Sequence, residues 1–371
     1  MAPVPPATPR HRTLPGYAIL LALALLVLTG CSQSATATRP PGPTQAPAPT
    51  TRTVVDLAGR TVTLPAHVDR VGTNYPAVNQ IVYMLGGADR LVATSQGTAA
   101  QFPFFESLYP RLKDVPTPFG AATTDVNIEA LVATRPQVVF VSSNTAMVGK
   151  IQSVGIPVVV LAAFNDPDQL KAGVKLVGDV LGNDAPARAQ RFSQYYDANI
   201  ARVTSKTKDI PTANQPKVYY TAGNSLQTEG SGSIVTVWIN EGGGRNIAAE
   251  NGVSAPPTFA TVSPETLVKW NPDFIVCRDP ATKNQVLQDP RFSTIAAVRD
   301  NHVFINPQGV FVWSVRSGES ALEPLWAAKT FHPDLFPDLD MRKEVQNFYQ
   351  TFYSHTLTDQ QLDSILNPPQ S

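Results

Sequence analysis

The most regular pattern of apolar and polar positions lies between Asp184 and Lys208, and it predicts one long helix. Asp184 suits the N-cap position, Pro186 suits the first turn, and no further Gly or Pro occurs before Pro211. The apolar positions recur at helical spacing, at Ala189, Phe192, Tyr196, Ile200 and Val203. A helix of about 25 residues extends about 37 Å, which is long for a globular protein.

A similar segment occurs once on each side of this helix, over residues 126–141 and 262–276. Each segment contains a Glu, Glu129 or Glu265, and a Pro seven residues later, and the two segments are 136 positions apart. Each predicts a short helix that opens with a carboxylate, ends at the Pro and leads into a buried strand. We therefore expect two lobes of similar construction, joined by the long helix.

Elsewhere in the chain, short apolar strands alternate with helical patterns. Strands are predicted over 54–57 and 62–64 as a hairpin, and then over 70–72, 91–94, 138–141, 158–161, 217–221, 274–277 and 303–305. Helices are predicted from 76 to about 87, and over 147–154, 167–181, 234–241, 265–270, 321–330, 342–353 and 358–366. This alternation favours an α/β fold with parallel, doubly wound sheets.

The first 30 residues have the pattern of an export signal. Arg10 and Arg12 precede an unbroken apolar run over residues 17–28. Such a run reaches about 18 Å as a helix, too short for about 30 Å of hydrocarbon, so a cleaved signal fits better than an anchor helix. The run ends in Leu28-Thr29-Gly30-Cys31, which resembles the lipobox of bacterial lipoproteins and implies lipidation of Cys31. An ordinary secretory signal with an incidental Cys is the alternative.

Residues 31–51 are rich in Ser, Thr, Ala and Pro, which predicts a disordered tether. A lipid and a tether place the folded part outside the cytoplasm, anchored to the cell membrane. Cys277 is then the only thiol besides Cys31, so no internal disulfide is expected. Without the two signal arginines, the 29 basic side chains nearly balance the 29 acidic ones, which gives no electrostatic case for nucleic acid.

The sequence lacks the short signatures of common enzymes, namely Gly-x-Ser-x-Gly, His-Glu-x-x-His and Gly-x-x-x-x-Gly-Lys-Ser/Thr. The histidines beyond the signal are His67, His302, His332 and His355. None of them has a His or Cys partner at metal-binding spacing. We therefore expect neither an enzyme nor a metal site made by the protein, and an extracytoplasmic hydrolase is the less favoured alternative.

Taken together, the lipobox, the tether, the hairpin followed by Asp69-Arg70-Val71, the paired Glu-to-Pro segments and the linking helix resemble the iron-chelate and cobalamin class of periplasmic binding proteins. The resemblance covers residues 52–371. It implies Rossmann-like lobes over 52–183 and 209–371, the latter with the terminal helices, joined by one helix over 184–208. It also implies ligand capture between the lobes and delivery to an ABC permease dimer with a cytoplasmic ATPase. We expect the chain to act as a monomer.

In that family, an acid on each lobe docks into arginines of the permease, and the matching positions here are Glu129 and Glu265. Two symmetric acids on exposed helix ends suit a symmetric pair of permease subunits. Simple helix capping is the alternative, because acids are common in first turns.

The ligand should contact loops at the carboxyl ends of the strands. The candidate residues are Asn74, Tyr75, Gln96, Phe119, Ser143, Asn224, Ser231, Arg278, Trp313 and Arg316. Aromatic rings with a few donors suit a large, partly apolar and partly anionic chelate. Tyr75 and Phe119 suit the core equally well, Arg316 could pair with Glu319, and the loop at Ser231 could be an ordinary helix cap.

The resemblance leaves the ligand open among several metal chelates. A ferric siderophore or similar iron complex is the first expectation, and cobalamin, another corrinoid or haem is the second. No resident cofactor is expected, because any metal would arrive already held by its chelator.

Overall fold

The computed structural model describes residues 50–121, 125–142, 145–161, 163–254 and 259–368. These residues belong to one compact unit. The export signal, Cys31, nearly all of the tether and the candidate Ser143 lie outside the described residues, so the predictions for them stay predictions. Within the ranges given, no helix has the length and apolar content needed to cross a membrane.

The first lobe begins with an antiparallel hairpin and continues as a parallel four-stranded sheet. The hairpin consists of β1 (Thr51–Val55) and β2 (Thr61–Pro65). The sheet consists of β3 (Val71–Thr73), β4 (Leu91–Ala93), β5 (Val138–Ser142) and β6 (Val158–Leu161), in the order β4-β3-β5-β6. Its helices are α1 (Pro76–Met84), α2 (Thr98–Gln101), α3 (Pro103–Leu108), α4 (Ile128–Ala133), α5 (Thr145–Gln152) and α6 (Pro167–Leu181).

A buried carboxylate attaches the hairpin to this sheet. Asp56 is 3% exposed and accepts hydrogen bonds from the Arg60 guanidinium at 2.6 and 2.9 Å and from the backbone N–H of Val160 at 3.1 Å. Burial by itself raises the pKa of Asp56, but the hydrogen bonds from Arg60 and Val160 outweigh it and hold the pKa below its usual value. The carboxylate therefore stays ionised and joins β1–β2 to β6.

The linking helix, α7 (Ala185–Thr207), packs against both lobes. In the first lobe Gly178 of α6 allows close approach, because a Cβ there would lie 3.0 Å from the Ala185 carbonyl oxygen. The Arg188 guanidinium donates to the Met84 carbonyl of α1 at 3.1 Å, and the Asn199 amide donates to the Ala321 carbonyl of the second lobe at 2.7 Å. These bonds fix α7 to both lobes.

One detail of the α7 prediction was wrong. Asp184 occupies the N-cap position, but its side chain accepts no cap hydrogen bond, since its backbone is already helical (φ −81°, ψ −9°). Gly182 and Asn183 adopt positive φ and turn the chain sharply from α6 into α7.

The second lobe repeats the parallel sheet. Its strands are β7 (Lys217–Thr221), β8 (Gln227–Thr228), β9 (Arg245–Asn246), β10 (Ala260–Thr261), β11 (Phe274–Cys277) and β12 (Val303–Ile305). The parallel sheet has the order β12-β11-β7-β9, and β8 pairs with β10 separately. Read from the other edge, β9-β7-β11-β12 corresponds to β4-β3-β5-β6, so the repeat seen in the sequence is a repeat of topology. The predicted fold class is confirmed.

The helices of the second lobe include the terminal helices of the chain. They are α8 (Ile234–Glu241), α9 (Ile247–Glu250), α10 (Pro264–Trp270), α11 (Pro280–Gln288), α12 (Ala296–Arg299), α13 (Glu323–Phe331), α14 (Met341–Phe348) and α15 (Asp359–Leu366). A π-helical turn over Tyr349–Tyr353 continues α14. Its rings pack against the first lobe, where Tyr353 stacks on Tyr83 with centroids 5.3 Å apart. The largest hydrophobic cluster therefore runs through both lobes and α7.

Candidate functional site

The carboxyl ends of the two parallel sheets bring several predicted residues together. Tyr75 follows β3 and occupies the N-cap position of α1 in the first lobe. In the second lobe Arg278 follows β11, and Arg316 lies in the loop over residues 306–317 after β12. Parallel α/β sheets bind ligands at this edge, so these residues define the candidate site.

Opposite charges from the second lobe act on the Tyr75 hydroxyl. Burial raises the pKa of Tyr75, the positive charges of Arg316 and Arg278 oppose that rise, and the negative charge of Glu229 adds to it. Electrostatic influence of this kind requires proximity. Three of the predicted residues therefore converge, together with Glu229, which was not predicted.

Arg316 contacts both lobes. Its Nε donates to the carbonyl of Ala163, just after β6 of the first lobe, at 3.0 Å, and its Nη2 lies 3.9 Å from Oε2 of Glu229 in the second. Its backbone has a φ of +43°, in the left-handed region that residues other than Gly rarely adopt. Backbone strain of this kind concentrates at binding sites, where the fold holds a side chain in place.

Glu229 is a buried acid in the same place. Its side chain is 3% exposed, and neither carboxylate oxygen accepts a hydrogen bond from any described residue. Burial raises its pKa, while Arg316, Arg278 and Ser233 act in the opposite direction, and the net shift is upward. A buried carboxylate without hydrogen-bond donors is costly, so this group needs a functional explanation.

The aromatic residues near the site are largely buried. Phe311 is 4% exposed; it stacks on Phe102 of the first lobe at 4.6 Å and meets Tyr75 edge-on at 6.1 Å. Trp313 and Phe119 are fully buried. Phe119 packs in the first lobe's own hydrophobic cluster. In this conformation neither Trp313 nor Phe119 offers a ring to a ligand, which corrects the expectation that both line an open cleft.

The remaining predicted polar residues have local roles. Asn74 is fully buried and its Oδ1 accepts from a backbone N–H at the end of β5, while Asn224 Oδ1 accepts from two backbone N–H groups of its own turn. Ser231 is exposed, and both its backbone N–H and its hydroxyl donate to the Val253 carbonyl. Gln96 is exposed at the first-lobe rim. The structure does not bring these four residues together with Arg278 and Arg316.

The loop over residues 306–317 rests on two buried acids. Glu319 accepts hydrogen bonds from the backbone N–H groups of Val310 and Phe311, at 3.2 and 2.8 Å, and from the Tyr349 hydroxyl. Glu323 accepts from the Asn306 amide at 2.5 Å. Arg316 pairs with Glu229 rather than Glu319, because Glu319 faces the other side of the loop. Burial raises the pKa of Glu319 to about 7 and that of Glu323 to about 8.

The two predicted docking acids occupy equivalent places in the two lobes. Glu129 lies in the first turn of α4, which leads into β5, and Glu265 lies in the first turn of α10, which leads into β11. Both are exposed. The helices already have side-chain caps, since Asn127 accepts from the N–H of Ala130 and Ser263 from that of Thr266. The two carboxylates are therefore not needed as caps.

No group of three His, Cys, Asp or Glu side chains in the described part of the chain is placed to hold a metal ion. Cys277 is fully buried in the second lobe, and burial raises the pKa of its thiol to about 12. It is a core residue and not a reactive thiolate at neutral pH.

Comparisons with known proteins agree with the two-lobed fold and its cleft. A profile of the periplasmic binding protein family matches residues 73–309. The molybdate-binding protein MolA of Haemophilus influenzae is 28% identical over 329 residues, which cover 81% of this chain and 91% of MolA. A cobalamin-binding protein of Halobacterium salinarum is 27% identical over 60% of this chain and 57% of its own length.

Solved structures give the same picture. A periplasmic solute-binding protein from Veillonella parvula superposes with a TM-score of 0.76 at 27% identity, covering 85% of this chain and 97% of that one. Haemophilus influenzae MolA bound to molybdate superposes with a TM-score of 0.74 at 27% identity, covering 83% and 99%.

The fold and site define an extracytoplasmic substrate-binding protein of an ABC importer. The chain belongs to the periplasmic binding protein family. It is a transport protein rather than an enzyme, and its partners are a small-molecule ligand and a permease with its ATPase.

Sequence reasoning missed Glu229 and the buried support of the 306–317 loop. Glu229 directly precedes the Gly-Ser-Gly-Ser run at 230–233, where a buried acid beside small residues was the available signal. Its partners Arg278 and Arg316 are far away in sequence, so no local pattern identifies it as a cleft residue.

Proposed function

We propose that this protein captures a small, fully deprotonated oxyanion of the molybdate type, bound by Arg278 and Arg316 of the second lobe and by the Tyr75 hydroxyl of the first. The observation that carries the proposal is the convergence of two guanidinium groups on one partly exposed hydroxyl between the lobes. Planar guanidinium groups donate paired hydrogen bonds to tetrahedral and planar anions. The similarity to MolA over 91% of its length supports the same ligand chemistry.

The placement of the aromatic residues supports a small anion over a large chelate. A siderophore, corrinoid or haem buries a broad apolar surface against exposed rings. Phe311, Trp313 and Phe119 are each at most 4% exposed, and Tyr75 packs edge-on against Phe311. A compact anion requires only the polar groups at the carboxyl ends of the strands.

The test is isothermal titration of the full chain, purified in detergent, with molybdate, tungstate, sulfate, a ferric siderophore, haem and cobalamin. We expect one-to-one binding of molybdate or tungstate, and a loss of about tenfold to a hundredfold in affinity for Arg278→Gln or Arg316→Gln. Arg299→Gln is the matched control, because Arg299 is an exposed arginine that pairs with its neighbour Asp300. Binding of a chelate with no oxyanion binding would overturn the proposal.

We further propose that Glu129 and Glu265 dock into the permease. Their exposure, their equivalent positions in the two lobes and the separate caps of their helices support this role. Hydrogen bonds from its own backbone N–H and from the Ser263 hydroxyl lower the pKa of Glu265, so it is ionised at neutral pH. Two exposed carboxylates then present a symmetric pair of charges.

The docking test uses the permease and its ATPase in lipid nanodiscs. The double variant Glu129→Ala/Glu265→Ala should lose permease binding while its ligand affinity stays unchanged. Asp114→Ala/Asp334→Ala removes one exposed acid from each lobe elsewhere and serves as the control for net charge. Unchanged permease binding by the first variant would contradict the assignment.

We also propose that the mature chain is a lipid-anchored monomer without a resident cofactor, held to the membrane through Cys31. The lipobox-like sequence and the tether composition support the anchor. A Cys31→Ser variant should move from the membrane fraction to the soluble fraction, and the wild-type N-terminal peptide should carry the mass of its acyl chains. Retention of Cys31→Ser in the membrane fraction would refute the anchor.

A further inference from the structure

Glu229 is the least satisfied polar group of the candidate site. Its side chain is 3% exposed, and within the described ranges neither oxygen accepts a hydrogen bond. The hydroxyl of Ser233 donates to the Gly230 carbonyl at 2.9 Å. The nearest ion-pair contact is Arg316 Nη2 at 3.9 Å, which is beyond hydrogen-bond distance. The carboxyl is therefore held between the lobes with its hydrogen-bonding capacity unused.

The charged and titratable groups that act on Glu229 come from four elements. Arg316 lies in the 306–317 loop and Arg278 follows β11, and both favour the ionised form. Tyr75, at the start of α1, and Tyr220, on β7, both have a pKa raised by burial, to which the Glu229 charge contributes. Both tyrosines are therefore neutral at physiological pH. The balance of charge at the site is set by two guanidinium groups and one carboxyl group.

Charge balance decides which state of Glu229 accommodates the ligand. A fully deprotonated oxyanion such as molybdate carries two negative charges and has no proton to donate. An ionised Glu229 could neither accept a hydrogen bond from it nor avoid like-charge repulsion in a buried site. A protonated Glu229 donates one hydrogen bond to the anion, and two guanidinium charges then face two negative charges.

We propose that Glu229 holds the oxyanion as a neutral carboxylic acid, so that capture of the anion takes up one proton from solvent. The proton forms an O–H bond on the carboxyl group, that O–H donates to an oxygen of the bound anion, and the proton returns to solvent when the anion leaves. This inference rests on the oxyanion function proposed above. It makes Glu229 a ligand-binding residue that couples affinity to pH.

The test measures molybdate binding to the full chain in detergent, at fixed pH, in buffers with different ionisation enthalpies. The slope of the observed enthalpy against the buffer enthalpy gives the number of protons taken up. We expect about one, with affinity that weakens by up to about tenfold for each pH unit between about pH 6 and 8.5, where molybdate itself carries no proton. This arm uses the wild-type chain and does not depend on a variant that folds.

Glu229→Gln mimics the protonated acid, because its amide donates at every pH. It should bind molybdate with little pH dependence and take up no proton. Glu241→Gln is the control, since Glu241 is a second acid of the same lobe, on α8 at a distance from the site, whose pKa burial raises to about 7. Proton uptake should be unchanged in this variant.

The outcomes separate the two proposals. Molybdate binding by the wild type without proton uptake, or weaker binding by Glu229→Gln at every pH, would overturn the role of Glu229 and leave the oxyanion function standing. Proton uptake that persists in Glu229→Gln would also overturn it. No molybdate or tungstate binding by the wild type at any pH would overturn both proposals.

Discussion

Glu323 should make the protein less stable as pH rises, and Glu323→Gln should remove that effect. Glu323 lies fully buried at the start of α13, where Oε1 accepts from the Asn306 amide at 2.5 Å and Oε2 has no donor among the described residues. Burial raises its pKa from 4.5 to about 8. Because the folded state binds the proton more tightly, the stabilising effect is complete below about pH 4.5 and is lost as pH rises through 8.

The expected magnitude follows from that shift. Each pH unit between the two pKa values costs about 1.4 kcal/mol of folding free energy, so ionisation at pH 8.5 costs on the order of 4 kcal/mol. Glutamine keeps an oxygen for Asn306 and carries no charge, but its amide N–H groups lack acceptors, which costs about 1 kcal/mol. Glu323→Gln should therefore be about 3 kcal/mol more stable than wild type at pH 8.5 and about equal to it at pH 5.

The assay is urea unfolding followed by circular dichroism at several pH values. Glu319→Gln is the matched comparison, because its carboxylate accepts from two backbone N–H groups and from the Tyr349 hydroxyl. An amide nitrogen cannot accept these bonds, so that variant should be less stable than wild type at pH 8.5. If Glu323→Gln loses stability with rising pH as steeply as wild type, Glu323 is not the buried group that titrates, and the reasoning fails.

Two further predictions concern packing and the hairpin. Gly309→Ala should cost about 1–3 kcal/mol of stability, because its Cβ would collide with the Glu319 carboxylate, whereas Gly149→Ala, in open space on a helix, should gain up to about 1 kcal/mol. Asp56→Asn should cost about 2–3 kcal/mol at pH 7 by removing the charged bonds to Arg60, and this difference should shrink as pH falls below about 3.8, where the wild-type carboxylate protonates. Urea midpoints check both predictions, and equal midpoints for wild type and variant would contradict either one.

The sequence predicts the sheets well because their strands are short, uninterrupted apolar runs. The predicted bounds of β6, β7, β11 and β12 match the structure, as do those of α6 and α8. The helices α2, α3 and α11 were missed. Residues 98–108 are rich in aromatic residues and interrupted by Pro103, so they show no helical period, and α11 has few apolar positions to mark its buried face.

The site was less predictable because it depends on burial and on contacts between distant segments. The positions of Tyr75, Arg278 and Arg316 follow from strand ends and topology, which a sequence pattern indicates. The burial of Phe119 and Trp313 depends on which loop covers which, and apolar residues in loops give no signal for that choice. The pairing of Arg316 with Glu229 instead of the nearby Glu319 is likewise set by the path of one loop.

The division of the site between the lobes indicates the order of capture. Arg278, Arg316 and Glu229 all belong to the second lobe, and the loop that carries Arg316 is fixed from behind by the carboxylate of Glu319. Opening of the lobes would leave those three groups in place and would separate only Tyr75 and the Ala163 carbonyl from them. The anion should therefore bind first to the second lobe, where both guanidinium groups are already held. Closure then adds the Tyr75 hydroxyl and excludes water, which strengthens every charged contact within the site.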